Sequence, residues 1–415
     1  MLPFENATDD PDATHLCDGV AETLINTLSQ LPELRVISRR SAFKFRGQHA
    51  DVQEVGRKLD VQAVLVGHMV RRGDNLTINA ELVDVSNNEQ LWGNRYDRPL
   101  DDLLDVEQAL AKDIVGGLRI RLSGEQEAQL AHRPTDDPEA YELFLKGKRL
   151  MVGTAVEMQK ASEYLEQAVE LDQSFALAYA TLSQVYALQP RHGLENQTAA
   201  FRKARSAAET ALELDSNLAE AHSAMGSVKF EFDWDWVGAE KSYKKAVALR
   251  PGNDWTYVQY SDFLVAMGRP REAIEMARRA VALDPQSVRA PHWIGIAQVI
   301  LGEHDAAAAQ FRHALELDPN WTWGHIKGGV ALAKAGRIDE ALREAAEAEA
   351  DLFGADTPLA RSWLGCVYAI AGEREQAEAA LVRIEEFSEG LRLEGLATVC
   401  LCLGRRDEAL DYMEQ

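Results

Sequence analysis

The phrase Ala168-Val-Glu-Leu-Asp172 decides how most of this chain folds, because close variants of it return four times. The variants are Ala211-Leu-Glu-Leu-Asp215, Ala246-Val-Ala-Leu-Arg250, Ala280-Val-Ala-Leu-Asp284 and Ala314-Leu-Glu-Leu-Asp318. Their leading alanines are 43, 35, 34 and 34 residues apart. Self-similarity at such a period is the sequence signature of a solenoid built from repeated supersecondary units.

Small residues and a glycine keep register with this phrase in three consecutive units. The triplets are Ser261, Gly268 and Ala273, then Gly295, Gly302 and Ala307, then Gly329, Gly336 and Ala341. Glycine adopts the positive φ of a tight turn at little cost, and small side chains let two helices cross closely. Each unit is therefore predicted to be two amphipathic helices joined by a short glycine turn.

This pattern resembles the tetratricopeptide repeat, a helix–turn–helix unit of 34 residues. The resemblance covers residues 138–415 and predicts an all-α solenoid of about seven and a half repeats. Unit starts are placed near Pro138, Ala176, Ala219, Asp254, Val288, Thr322, Pro358 and Gly390. About nine extra residues are expected at 190–198, and one more near residues 233–236.

Residues 1–122 alternate short β-rich runs with helical ones. The end of a strand is expected at residues 1–4, a helix at 17–31, a strand at 34–38 and a helix at 51–59, where Asp51 is a good N-cap. Three closely spaced strands follow at 63–70, 76–85 and 89–96, and a helix at 103–122. The order βαβαβββα predicts an α+β domain with a mixed sheet. Residues 123–137 are polar and are expected to be a linker.

The front region resembles the TolB amino-terminal-like (FlgO-like) domain, which precedes tetratricopeptide arrays in many bacterial regulatory proteins. Matching stretches include Leu2-Pro-Phe-Glu-Asn6, Leu31-Pro-Glu-Leu-Arg-Val-Ile-Ser-Arg39 and Leu91-Trp-Gly-Asn-Arg-Tyr-Asp97. The resemblance implies an output domain elsewhere: a winged-helix DNA-binding domain, an adenylate or guanylate cyclase domain or a serine/threonine kinase domain. Because only Met1 precedes Leu-Pro-Phe and the last repeat stops within its second helix, we expect the middle of a longer protein or a shortened product.

The charge of the chain argues against binding to nucleic acid. It carries 67 acidic and 44 basic residues, a net charge of −23, which repels phosphate. The one local basic cluster is interleaved with two aromatic residues and comprises Arg39, Arg40, Phe43, Lys44, Phe45 and Arg46. Such a cluster suits single-stranded nucleic acid, but its acidic surroundings disfavour that interpretation.

Motifs for catalysis or metal binding are not found in the sequence. No phosphate-binding loop occurs, no two histidines stand four apart on a helix, and the four cysteines form no CxxC pair. We therefore predict no catalytic residues, no cofactor, no metal and no enzymatic activity in this chain. No apolar run reaches the roughly 18–20 residues of a membrane span. A cytoplasmic location is expected, or the periplasmic side of the inner membrane if a transmembrane segment precedes residue 1.

The tetratricopeptide resemblance also places a partner-binding groove, because the first helix of each repeat lines the concave face of such arrays. The residues carried onto this groove are Trp255, Val258, Asp262, Arg289, His292, Ile296, Trp323 and Ile326. The Lys/Asn set of the chaperone-binding carboxylate clamp is absent, so capture of an acidic C-terminal tail is not expected. This set of residues suits an amphipathic helix or an extended peptide, with Trp255 and Trp323 as anchors. The alternative is that part of this set packs on the front domain or on the inserted segment.

These observations predict a non-enzymatic interaction scaffold, the sensing or regulatory part of a bacterial signalling protein, which binds a protein or peptide. One alternative is the regulatory region of a larger cyclase, kinase or winged-helix regulator. Another is a stand-alone assembly factor of the cell envelope.

Overall fold

The structure is a computed structural model that describes residues 1–8, 13–31, 33–46, 51–73, 75–99, 102–124, 126–127, 133–151, 154–192, 194–352, 356–387 and 392–414. The repeat start placed near Gly390 and the side chain of Arg40 lie outside this description.

The front region is an α+β domain built on a four-stranded sheet, which confirms the predicted fold class. Its elements are β1 (Glu5–Asn6), α1 (Ala13–Leu28), α2 (Arg39–Phe43), α3 (Val52–Leu59), β2 (Ala63–Arg72), β3 (Asn75–Asp84), β4 (Gln90–Pro99) and α4 (Leu103–Gly117). The strands follow the order β1-β2-β3-β4, with β1 parallel to β2 and the other pairs antiparallel. Along most of β3, alternate residues are buried. Leu76, Ile78 and Ala80 of β3 therefore share the face that packs on the helices.

The strand predicted at residues 34–38 is not part of the sheet. The backbone N–H of Ser38 instead donates a 3.0 Å hydrogen bond to the carbonyl of Leu283, in the repeat region. Ile37 is buried in a small cluster that also contains Leu2 and Phe45. The alternating pattern thus correctly predicts that Ile37 is buried. The backbone of Ser38, however, is hydrogen-bonded to a repeat rather than to a neighbouring strand.

The remaining elements are the paired helices that the repeat predicts. They are α5 (Pro138–Leu150), α6 (Ala155–Leu171), α7 (Ala176–Leu188), α8 (Gln197–Leu214), α9 (Ala219–Val228), α10 (Trp236–Leu249), α11 (Asp254–Ala266), α12 (Pro270–Leu283), α13 (Arg289–Ile300), α14 (His304–Leu317), α15 (Thr322–Lys334), α16 (Ile338–Asp351), α17 (Pro358–Ala371), α18 (Arg374–Glu385), α19 (Arg392–Cys402) and α20 (Arg406–Glu414). A 3₁₀ turn at Gln189–His192 overlaps the start of the insertion expected at 190–198, and a π-helical turn at Lys229–Asp233 ends where the extra residue near 233–236 was expected.

The turn glycines and the small residues behave as predicted. Gly268, Gly302 and Gly336 have φ of +68°, +78° and +78°, values that a residue with a Cβ adopts only with strain. Gly295 faces the ring of Phe311 so closely that a Cβ there would overlap it. The repeat pattern therefore reflects the close approach of the two helices within each pair.

The chain divides into two compact units. The first unit comprises Met1–Thr256 with Ala282–Pro285, and the second comprises Tyr257–Val281 with Gln286–Gln415. In the first unit, one continuous core joins the front domain to the first repeats, as Leu110 of α4 and Phe144 of α5 belong to the same cluster. The second unit has its own core, which includes Phe311 and Leu364.

Candidate partner-binding surface

Except for Trp255, the residues predicted to line the groove belong to the second unit. Val258 and Ile326 are 5% and 0% exposed, so their side chains pack inside the helix layers and would support a ligand only indirectly. The predicted residues of the second unit that keep partial exposure are Asp262, Arg289, His292, Ile296 and Trp323.

An apolar strip, which we define as Ile296, Val299, Trp323 and Trp363, runs beside the core of the second unit. All four side chains pack against the core and remain partly exposed. Partly exposed aromatic and aliphatic side chains on a preformed surface are suited to hold the apolar face of a partner. Trp363 was not singled out from the sequence, although it follows the start of its repeat at the same spacing as Lys327 does in the preceding repeat.

His292 is a packing residue as well as a neighbour of the strip. Its ring lies edge-on to Trp293, Phe311 and Trp321, with centroids 5.2, 5.8 and 5.2 Å away. Burial, with smaller contributions from the charges of Lys327 and Arg289, lowers the pKa of His292 to about 3. The imidazole is therefore neutral at physiological pH.

Lys327 is a residue of this surface that the sequence analysis missed. It is 7% exposed, and its Nζ lies 2.9 Å from the ring centroid of Trp363 and 5.8 Å from that of Trp323. Burial places the pKa of Lys327 well below its ordinary value. A lone lysine in the otherwise apolar middle of α15 was the signal available in the sequence.

Trp255 stands in the first turn of α11 and is half-buried. The next residue, Thr256, is fully buried, and its hydroxyl donates a 3.4 Å hydrogen bond to the Oγ of Ser223 in α9. The start of α11 is thus attached to the preceding repeat, which fixes the position of Trp255 within the first unit.

Part of the predicted concave face is used by contacts within the chain. Glu220, in α9, pairs with Arg250, a residue only 6% exposed. The same guanidinium donates to Asn26 Oδ1 at 2.6 Å and to Ser29 Oγ at 3.0 and 3.1 Å, at the C-terminal end of α1. The front domain therefore contacts this stretch, whereas the residues predicted to line the groove take no part in these contacts. The other four copies of the repeated phrase end in Asp, and the Arg at position 250 is therefore the sequence feature that distinguishes this contact.

The next repeat makes a second contact with the front domain. Asp284 is 1% exposed and accepts a hydrogen bond from the Ser41 hydroxyl, while Leu283 accepts the backbone hydrogen bond from Ser38. Arg250 and Asp284 occupy the same position of two successive repeats. The front domain thus binds the ends of two successive second helices.

The helix pairs are similar to a known family of repeats. Models of the tetratricopeptide repeat match residues 235–293 and 289–320, in register with the glycine turns. The helical region is a solenoid of tetratricopeptide-like repeats. A solved tetratricopeptide protein from Parabacteroides merdae superimposes with a TM-score of 0.45 at 13% identity, covering 63% of this chain and 99% of its own. A second, YrrB, described as having an unusual peptide-binding site, gives a TM-score of 0.34 at 21% identity over 53% and 98% of the two chains.

The front domain that precedes the tetratricopeptide array also has a match. Residues 1–112 fit the family described as HilA/YgeH-like transcriptional regulator, second domain. A Rhizobium meliloti protein named "Putative adenylate cyclase 3" is 35% identical over 184 residues, which is 44% of this chain and 31% of that protein. The chain therefore spans about a third of that relative's length. Both names belong to output classes that the sequence led us to expect.

Two arginines of the basic cluster, Arg39 and Arg46, form ion pairs with acidic residues of the front domain. Arg46 pairs with the buried Asp18, and Arg39 Nε lies 3.0 Å from Glu22 Oε2. Lys148 of α5 lies 2.9 Å from the other oxygen of Glu22. Burial alone would raise the pKa of Glu22, but the charges of Lys148 and Arg39 lower it overall. These arginines are thus engaged in internal ion pairs rather than available for phosphates.

Two further features of the array were not predicted. Cys366 and Cys402 form a disulfide between α17 and α19, with Cα atoms 5.3 Å apart. At the π-helical turn, Trp234 is 73% exposed and has a φ of +58°, and its ring lies 6.4 Å from that of Trp236. The disulfide links two neighbouring repeats, and the two tryptophans lie outside the predicted groove.

The described residues offer neither a membrane-spanning helix nor a metal site. None of their helices is at once long enough and apolar enough to cross a bilayer. They contain no group of three or more His, Cys, Asp or Glu side chains arranged to hold a metal ion.

Proposed function

We propose that this chain is a protein-interaction scaffold without catalysis of its own, and that its tetratricopeptide array binds a protein or peptide partner. The observation that carries the proposal is the partly exposed apolar strip, to which the repeat spacing adds the half-buried polar side chains of Asp262 and Arg289. Tryptophan and arginine are the residues most enriched at the energetic centres of interfaces.

Within this proposal, Trp323 is the anchor on the second unit, and Trp255 is a separate anchor on the first. Truncation of an aromatic anchor at an interface typically costs about 2 kcal/mol or more, which exceeds a tenfold change in affinity. Val258 and Ile326, being buried, would shape the surface without touching the partner.

The experiment selects peptides that bind the purified chain from a random peptide display library and measures their dissociation constants by fluorescence anisotropy. Trp323→Ala and Trp255→Ala are each expected to weaken binding more than tenfold while the far-ultraviolet circular dichroism stays unchanged. Trp236→Ala is the matched control, because Trp236 is exposed away from the groove. Equal affinities for parent and both groove variants, or no selected peptide at all, would overturn the proposal.

A second candidate is that the chain regulates an output domain of a longer protein. The match to a regulator domain and the likeness to a protein named as a cyclase favour it. In that case the front domain, which shares a core with the first repeats, is the part that would communicate with the output. Sequencing the genomic DNA on both sides of this reading frame tests the idea, and a stop codon close upstream would contradict it.

The location that we propose is the periplasmic side of the inner membrane rather than the cytoplasm. The disulfide between Cys366 and Cys402 supports this choice, since disulfides form and persist in oxidising compartments. The same observation suits the alternative of an envelope assembly factor.

A further inference from the structure

We propose that Lys327, with Trp323 and Trp363, forms an anion-binding subsite that takes a carboxylate of the polypeptide held on the apolar strip. This inference rests on the proposed function and specifies the chemistry of the ligand. It concerns the second unit alone, where all three residues lie.

The geometry isolates a cation between two aromatic rings. Nζ of Lys327 lies 2.9 Å from the ring centroid of Trp363 and 5.8 Å from that of Trp323. Across the described parts of the chain, no carboxylate oxygen lies within 4.0 Å of this nitrogen, whereas the buried Arg250 is paired with Glu220. A buried ammonium without a counter-ion costs free energy, which a suitable anion would recover.

Charge complementarity then selects the ligand. Although the chain has 67 acidic residues, the groups beside Lys327 among the described residues are the rings of Trp323 and Trp363. A nucleic acid is a poor candidate because it carries a negative charge on every phosphate, and the net charge of −23 repels such a polyanion more strongly than it repels a single carboxylate. A single carboxylate on an apolar segment satisfies both the lysine and the strip.

The neighbouring titratable groups are compatible with this assignment. His292 is close enough to Lys327 and Arg289 for both charges to lower its pKa, and its buried Nδ1 has no hydrogen-bond partner. Because His292 is neutral, it adds no second positive charge beside Lys327. Burial lowers the pKa of Lys327, so an arriving carboxylate would also favour the protonated lysine.

The experiment uses three matched pools of fluorescein-labelled peptides with apolar residues at alternate positions. The first pool carries Asp and Glu at the remaining positions and an amidated C-terminus. The second has Asn and Gln there and is also amidated. The third has Asn and Gln with a free C-terminal carboxylate, so the pools separate a side-chain carboxylate from a terminal one. Anisotropy titrations compare the full chain with Lys327→Met and with Lys334→Met, an exposed lysine of the same helix.

We expect the first or the third pool to bind the parent and Lys334→Met about tenfold more tightly than the second pool. Lys327→Met should remove this preference and leave the binding of the neutral pool unchanged. Methionine fits the buried site without a charge, so this variant should fold, which circular dichroism checks.

Three other outcomes would each contradict part of the proposal. Equal binding of the three pools by the parent would overturn the anion subsite while the scaffold proposal stands. A preference for carboxylates that survives in Lys327→Met would overturn the role of Lys327. No binding of any pool would count against both proposals.

Discussion

Arg250 Nη2 lies 2.6 Å from Asn26 Oδ1, so a repeat residue is hydrogen-bonded to the front domain across 224 positions of sequence. The same side chain reaches Ser29 and Glu220, and it is 6% exposed. Gly252 completes the contact, because a Cβ there would overlap the backbone of Ser29. The front domain and the first repeats are therefore parts of one folded unit.

Removal of the Arg250 side chain should destabilise this unit. Arg250→Ala leaves Glu220 and the polar end of α1 without their partner, and breaking a buried pair typically costs about 3 kcal/mol or more. Gly252→Ala tests the same contact by steric means. Urea denaturation followed by circular dichroism measures the loss, with the exposed Arg374→Ala as the control. A loss for Arg250→Ala no larger than for the control would show that the contact is not stabilising.

The pH dependence of stability should contain a contribution from Glu107. This carboxyl group is buried in α4 and accepts a 2.9 Å hydrogen bond from the Tyr141 hydroxyl. Burial raises its pKa well above the ordinary value, although the Tyr141 hydrogen bond acts the other way. The folded state then binds a proton that the unfolded state releases, so this contribution is full below pH 4.5 and is lost as the pH rises.

The measurement compares Glu107→Gln with the parent in urea denaturation from about pH 5 to pH 8. As the pH rises from about 5 to 8, the unfolding free energy of the variant minus that of the parent should increase by up to about 1.4 kcal/mol per pH unit. Glu163→Gln, an exposed change in α6, should run parallel to the parent. A Glu107→Gln curve that is also parallel to the parent would mean that Glu107 is ionised in the folded protein.

The turn glycines allow a test within one helix pair. Gly336 has a φ of +78° with open space around it, so Gly336→Ala should lower the unfolding free energy by about 1 kcal/mol through backbone strain alone. Gly328 lies inside α15, and a Cβ there would make only a tight contact with Phe311, so Gly328→Ala should be neutral or stabilising. Denaturation curves of the two variants measure the difference. Equal effects would exclude conformational strain as the reason for the glycine at position 336.

The oxidation state of the cysteines reports on location. Cys366 and Cys402 should resist alkylation by a maleimide-linked polyethylene glycol in protein taken directly from cells, and should react after reduction. Cys366→Ala is the control, because it leaves Cys402 free to react. Full alkylation of the parent without a reductant would argue against an oxidising compartment.

The repeats could be predicted from the sequence because their determinants are local and recur. Gly302 and Gly336 have the same φ, and Gly295 meets Phe311 where a small residue was expected. The strand at residues 34–38 was not predictable in the same way. Its alternation correctly reports a buried Ile37, but the hydrogen-bond partner of Ser38 lies 245 residues away.

The sequence predicted which repeat positions could line the groove, but it did not predict which of their side chains are exposed. Family spacing brought Trp323 and Ile296 to the surface of the strip, yet it also selected Ile326, which is fully buried. It passed over Lys327 because a repeat pattern says nothing about an individual charge between two rings from different helices. The disulfide of Cys366 and Cys402 was likewise hidden, since cysteine pairing cannot be deduced from spacing alone.

The front domain binds the ends of two successive repeats, at Arg250 and at Asp284. In a solenoid each repeat contacts only its neighbours, so the insertion or deletion of one repeat leaves the contacts of distant repeats unchanged. Here a duplication or deletion between these two residues would move one contact away from the other. The two contacts therefore fix the number of residues between Arg250 and Asp284. Variation in repeat number among descendants of this chain should be confined to the segment after Pro285.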